Sequence, residues 1–249
     1  IAEISPVNTL STWAYDANGN VLSQKIYSGT VAFPGAAGGT PPTSASAYRE
    51  TIYDYDRNNR LLGVTQQNVL VGYWNGSSYV TQTVSITSIN QYDVAGNLVK
   101  ETDRNGQAIH HYFDKNGREI AKVDQEGYLT TWTYDAEGNA LEDRRFANKV
   151  GTQFAQAVTV STAVASLVSS AGYNGLDRIT VFSYDKNGRR LTETRYNVST
   201  NTIGSGGALH STTDAATIFY TYNALGEVTS KTEANSGLID WFLGFNPHA

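Results

Sequence analysis

The chain has 249 residues and a formal net charge of −5, with 40% hydrophobic and 16% charged residues and neither Cys nor Met. Without Cys there is no disulfide framework, thiolate metal centre or cysteine nucleophile, and the surplus of acid excludes a nucleic-acid partner held by phosphate neutralisation. The 16 Tyr and 23 Gly, beside abundant Thr and Val, point to strands and tight turns.

In chain order, the first predicted element is a hairpin over residues 13–26, turned at Asp16-Ala-Asn-Gly19. Residues 27–50 follow as an insertion rich in Gly, Pro and Ser, which reads as a surface loop. A second hairpin spans 53–66, with Asn59 where other turns have Gly. The insertion at about 67–89 is expected to form its own hairpin, turned at Asn75-Gly76. Its Tyr73, Trp74 and Tyr79 interrupt the repeat and are candidates for stacking on sugar rings; the competing reading packs them within that hairpin. Residues 90–145 are the densest stretch, with Tyr92, Phe113 and Tyr134 spaced 21 residues apart and half-steps at Thr102 and Val123.

No charged residue stands between Lys149 and Asp177, inside an insertion at about 146–180. Its Ala, Ser, Thr and Gln content is too polar for a membrane span. A short helix from about Ser161 fits better, with Val164, Leu167 and Val168 on one face and Gly172 as its stop. The repeat resumes at 182–196, breaks for a polar insertion at about 197–217, and returns at 220–233. The terminal GLIDWFLGFNPHA leaves the register, and three roles stay open for it: a cap, a continuation into further sequence, or a contact with a neighbouring segment.

Seven aromatic anchors carry the pattern: Tyr15, Tyr55, Tyr92, Phe113, Tyr134, Tyr184 and Tyr222. Asp or Asn follows each (Asp16, Asp56, Asp93, Asp114, Asp135, Asp185, Asn223), and Gly stands four after the anchor at Gly19, Gly96, Gly117, Gly138, Gly188 and Gly226. An aspartate that accepts backbone N–H groups, two αR residues and a left-handed glycine make a type I turn closed by a G1 bulge. Before each turn the chain alternates, and the partner two residues before the anchor is aromatic in five of seven cases. That is the period of a half-buried strand. The expected result is an aromatic ladder, joined by the residue seven after each anchor (Leu22, Leu62, Val99, Ile120, Leu141, Leu191, Thr229).

Tyr-Asp-x-x-Gly-Asn/Arg-Leu, followed about ten residues later by Thr-Asp-x-x-Gly, resembles the YD repeat of bacterial Rhs proteins, Tc insecticidal toxin B and C components, and teneurins. The resemblance implies an all-β spiral of hairpins, a segment of a hollow shell or solenoid, here with loop and short-helix insertions. In the bacterial members such a shell encloses a C-terminal toxin domain. Residues 1–249 are accordingly read as a single repeat array cut from a longer polypeptide, secreted by or displayed on a bacterium. Its partners would be the remainder of its own chain, including an enclosed toxin.

Catalytic signatures are missing. No Gly-x-Ser-x-Gly, His-Glu-x-x-His or P-loop spacing occurs. Asp-x-Asn-Gly at Asp16, Asp103, Asp114 and Asp185 resembles the start of a calcium loop, but no Glu stands at the twelfth position, so the turn reading is preferred and no cofactor is expected. His111 occupies a ladder position where other repeats have Trp, Tyr or Phe. Arg144-Arg145 and Arg189-Arg190 read as pairs on solvated strand faces. The expected role is a non-enzymatic shell segment. The alternatives are an adhesion module that binds glycans or a receptor, and an element that self-assembles into filaments.

Overall fold

A computed structural model describes residues 2–4, 9–30, 48–151, 160–203 and 209–235. The chain divides into two units, Ile1–Ala108 and Ile109–Ala249. Both are antiparallel meanders.

In the first unit the strands are β1 (Ala2–Ile4), β2 (Thr9–Tyr15), β3 (Val21–Thr30), β4 (Tyr48–Tyr55), β5 (Leu61–Trp74), β6 (Tyr79–Tyr92) and β7 (Leu98–Thr102). Each pairs with its sequence neighbour. The stretch read as an insertion at 67–89 is a continuation of the repeat strands. β5 and β6 run on as one long hairpin, closed by a four-residue turn in which the Asn75 N–H donates to Ser78 O at 3.1 Å. Asn68, at φ 57°, marks the register shift between Gln66 and Val69 that lets the pairing continue. Most of the loop expected at 27–50 lies outside the described residues.

The second unit contains β8 (Ala108–Phe113), β9 (Glu119–Val123), β10 (Tyr128–Tyr134), β11 (Ala140–Lys149), α1 (Val160–Ala171), β12 (Arg178–Tyr184), β13 (Arg190–Ile203), β14 (Leu209–Tyr222) and β15 (Val228–Asn235). These strands also pair in sequence order. The excursion at 197–217 repeats the device of the first unit: β13 and β14 extend the hairpin past a shift at Asn197, φ 59°.

The helix forms where its pattern predicts. Val164, Leu167, Val168 and Ala171 recur at helical spacing and pack on the sheet. Gly172 takes φ +64° and donates its N–H to Val168 O at 2.9 Å, a left-handed stop. Asn148 Nδ2 donates to the Ala171 carbonyl at 2.9 Å, satisfying an end group with no partner inside the helix.

Two expectations need correction. The aromatic ladder is not the core. Strand alternation puts Tyr112, Ala121, Val123 and Leu129 on the face opposite Phe113 and Tyr134, and there they form one buried cluster with Phe146, Val150, Leu167 and Ala171. The anchors stay half-buried, and Tyr15 is exposed. The reason is coverage: α1 covers one face of β9–β11, and apolar area leaves water only where something covers it. Nor do the residues seven after each anchor continue the ladder. In all seven hairpins the register shifts beside the anchor (Ala14↔Ser23, then Tyr15↔Val21), so Leu22 and its equivalents are passed over as bulge residues.

Arg144 departs from the solvated-face reading as well. Its guanidinium bonds Glu142 at 2.9 Å and Asp177 at 3.3 Å, and lies 4.9 Å from the Tyr173 ring centroid. Arg145 alone projects outward, with a 3.7 Å contact to Asp124.

Candidate functional site

The repeated turns are the most elaborated feature of the molecule. In each, the glycine (or Asn59) N–H donates to the carbonyl of the first turn residue at 3.0–3.3 Å, and that residue's N–H donates to the carbonyl four residues on at 2.8–3.0 Å. Oδ1 of Asp16, Asp56, Asp114 and Asp185 accepts two further backbone N–H groups, from positions +2 and +4, at 2.8–3.0 Å. Oδ1 of Asp93 and Asp135 accepts the +4 group at 2.8 and 2.7 Å. Gly19, at φ +88°, shows why glycine belongs here, since an L side chain is strained in that region. Asn59, at φ +60°, is the tolerated exception.

The position after the glycine locks Oδ2. Arg60, Arg118 and Arg189 donate Nε to their aspartates at 2.6, 2.7 and 2.6 Å. Asn20, Asn97 and Asn139 donate Nδ2 at 2.8, 2.9 and 2.8 Å.

The arginines do more, because register brings each one opposite the next anchor. Counting three residues from Gly63↔Ile89, Ala121↔Thr131 and Thr192↔Phe219 reaches Arg60 and Tyr92, Arg118 and Tyr134, and Arg189 and Tyr222. The guanidinium carbons lie 4.6, 4.8 and 4.9 Å from those ring centroids. Arg118 Nη1 also donates to Asp135 O at 3.0 Å. In return each tyrosine hydroxyl donates to the carbonyl of the residue after the arginine: Tyr92 to Leu61 at 3.1 Å, Tyr134 to Glu119 at 2.7 Å, and Tyr222 to Arg190 at 2.7 Å. One rung thus joins an ion pair, a cation–π contact and a hydrogen bond, the last two worth about 0.5–1.5 kcal/mol each at a partly exposed site.

This geometry holds the turn carboxyls of Asp16, Asp56, Asp93, Asp114, Asp135 and Asp185 below the ordinary value of 3.8. For Asp56, Asp114 and Asp185 the largest cause is the backbone N–H of the following arginine, with desolvation opposing and the guanidinium adding. For Asp16 and Asp135 it is the asparagine amide. For Asp93 desolvation is the largest influence and raises the pKa, but the Asn97 contacts together with the Gly96 and Ala95 N–H groups outweigh it. A carboxyl depressed by folding adds stability that is complete above its unfolded pKa and is lost as pH falls through the folded one. The denaturation midpoint should therefore not respond to these aspartates between pH 7 and about 5, and should fall steadily below about pH 4. Asp93→Asn and Asp135→Asn should flatten the fall, since Asn223 already makes the same N–H contacts at 3.0 and 2.9 Å. Urea titrations at a series of pH values check this; equal acid sensitivity of wild type and variants would contradict it.

The other candidates are dispersed. His111 stacks on Phe113, with centroids 6.4 Å apart, and contacts Glu119 Oε1 through Nδ1 at 2.6 Å. Trp74 and Tyr79 pair across the tip of the β5–β6 hairpin, with centroids 5.4 Å apart and planes at 64°, and are 57% and 82% exposed. Tyr73 lies on the opposite face of that hairpin by strand alternation. Asp177, a fully enclosed carboxylate, had no forewarning in the sequence: it is 0% exposed and accepts N–H groups from Ala147 at 3.0 Å and Asn174 at 3.1 Å.

Residues 113–144 match the family model described as RHS Repeat, so the chain carries Rhs/YD-type repeat sequence. No curated protein matches the chain. Among solved structures it is similar to TcdB2–TccC3 with Cdc42 (16% identity, TM-score 0.43, 93% of this chain and 12% of that one). TcdB2–TccC3 without its hypervariable C-terminal region gives 16% identity and a TM-score of 0.44 over 92% and 11%. A Tc holotoxin pore of Photorhabdus luminescens gives 12% and 0.23 over 95% and 14%. The chain spans about 12% of the length of the first of these.

Proposed function

We propose that the chain is a wall segment of an Rhs-type shell that encloses a polypeptide cargo, a toxin domain of its own longer chain, in a protein exported by a bacterium. The rung carries this reading. Three times among the described residues, the same arginine–aspartate–tyrosine set spends its polar groups on joining one hairpin to the next. A turn whose carboxylate, guanidinium and phenol are all engaged in such contacts serves construction. The matched RHS Repeat segment, residues 113–144, includes one complete rung.

The mechanism is steric. In each unit consecutive strands satisfy one another's backbone groups, and among the described residues the repeat turns are only five residues long, which gives a protease little to grip there. Limited proteolysis of the longer parent polypeptide tests this. The segment downstream of the wall should survive in the parent at protease doses that degrade it when it is expressed alone, and equal cleavage rates would refute enclosure. The exposed Trp74–Tyr79 tip supports a second reading, glycan or receptor binding, which a glycan array separates from the first.

A further inference from the structure

Where asparagine replaces the arginine the rung is incomplete, and at Asn139 this leaves a cleft. Three residues from Glu142↔Val181 the register sets Asn139 opposite Tyr184, the position where Arg60, Arg118 and Arg189 cover their tyrosines. Asn139 is long enough to lock Asp135 Oδ2 at 2.8 Å but too short to cover the ring. An equivalent short residue in the first unit, Asn20, closes its gap by bonding the Asn59 side chain at 2.7 Å. Position 188 is a glycine instead, so nothing substitutes for Asn59 there. A cleft of about 790 Å³ results, lined by Asn139, Tyr184, Asp135, Glu137, Asp185 and Lys186 among others. Tyr92, Tyr134 and Tyr222 bond back to the preceding hairpin, whereas the Tyr184 side chain interacts with Arg190.

We propose that this cleft is a receptor site for an arginine side chain presented by another polypeptide segment. The chain itself shows what fits: at three equivalent positions a guanidinium lies 4.6–4.9 Å over the anchor ring, and at two of them it donates to the first carbonyl of the next turn. Of the three lining carboxylates Asp185 is already paired with Arg189 at 2.6 Å, which leaves Asp135 and Glu137 against Lys186. A planar guanidinium offers the ring a face and the oxygen acceptors a fork of N–H donors, a closer match than the single point charge of a lysine ammonium. The occupant is thus a peptide segment that carries arginine, docking beside the turns that begin at Asp135 and Asp185. The proposal is independent of whether the wall encloses cargo.

The test titrates the whole chain, uniformly isotope-labelled, with three capped pentapeptides, Gly-Gly-X-Gly-Gly, where X is arginine, lysine or citrulline. The arginine peptide should shift the Tyr184 resonances saturably, with an affinity at least about tenfold above citrulline. Asn139→Arg supplies the guanidinium internally and should abolish that response while leaving the Tyr134 and Tyr222 resonances in place. Tyr184→Leu removes the ring and should also abolish binding, read from the Asp135 and Asp185 amides. No saturable shift in the wild type, equal binding of citrulline, or unchanged binding by Asn139→Arg would each overturn the proposal. The wild-type arm decides it even if a variant fails to fold.

Discussion

Replacing Asp177 by Ala is expected to destabilise the second unit by about 3–5 kcal/mol, the usual cost of breaking a buried charge pair from one side. The carboxylate is wholly enclosed, and three donors converge on it: the Ala147 N–H at 3.0 Å, the Asn174 N–H at 3.1 Å and Arg144 Nη1 at 3.3 Å. Its backbone takes part too, since the N–H donates to Asn174 O at 3.0 Å and the carbonyl accepts Asn197 Nδ2. Alanine leaves two backbone donors without acceptors, each costing about 1–3 kcal/mol. Arg144 keeps Glu142 as a second partner, which limits the total. Asp177→Asn retains an acceptor for one donor and should cost less than Ala. Urea denaturation followed by far-UV circular dichroism measures both, and a loss below about 1 kcal/mol for alanine would show that the node is not what ties the helical insertion to β11 and β13.

Phe146→Ala should have an effect of similar size, about 3–5 kcal/mol, by opening a cavity in the apolar cluster under α1. Phe146 is 2% exposed, on β11 under the helix, with its ring 5.7 Å from Tyr173. Trp74→Ala is the matched control: it removes a larger ring from the tip of β5–β6, where 57% exposure means little burial is lost, and should cost well under half as much. Native-state hydrogen exchange should show Phe146→Ala accelerating the amides of β9–β11 and α1. Equal destabilisation by the two substitutions would place the core elsewhere.

The turns were legible because their chemistry is local. Every contact that shapes Asp114-Lys-Asn-Gly117-Arg118 lies within five residues, so type and spacing suffice. The helix over Val160–Ala171 was legible for the same reason, its apolar residues recurring at intervals its own geometry imposes. The bulges at Asn68 and Asn197 had a signal that went unread: Asn-Val stands thirteen residues after an anchor in both places, and Asn tolerates positive φ. The rungs had half a signal, Arg rather than Asn after the glycine. Their partners stand 32, 16 and 33 residues away, depending on how long the intervening strands and insertions are.

Residue order alone therefore established where the backbone turns, which segments extend, and that the unit repeats, since hydrogen bonds over four or five residues and side-chain alternation need no distant partner. Packing settled which face is buried, which arginine covers which ring, and that Asp177 is enclosed. Alternation presents two faces without ranking them; α1, folding onto β9–β11, removed one from water and left the tyrosines half exposed along the other.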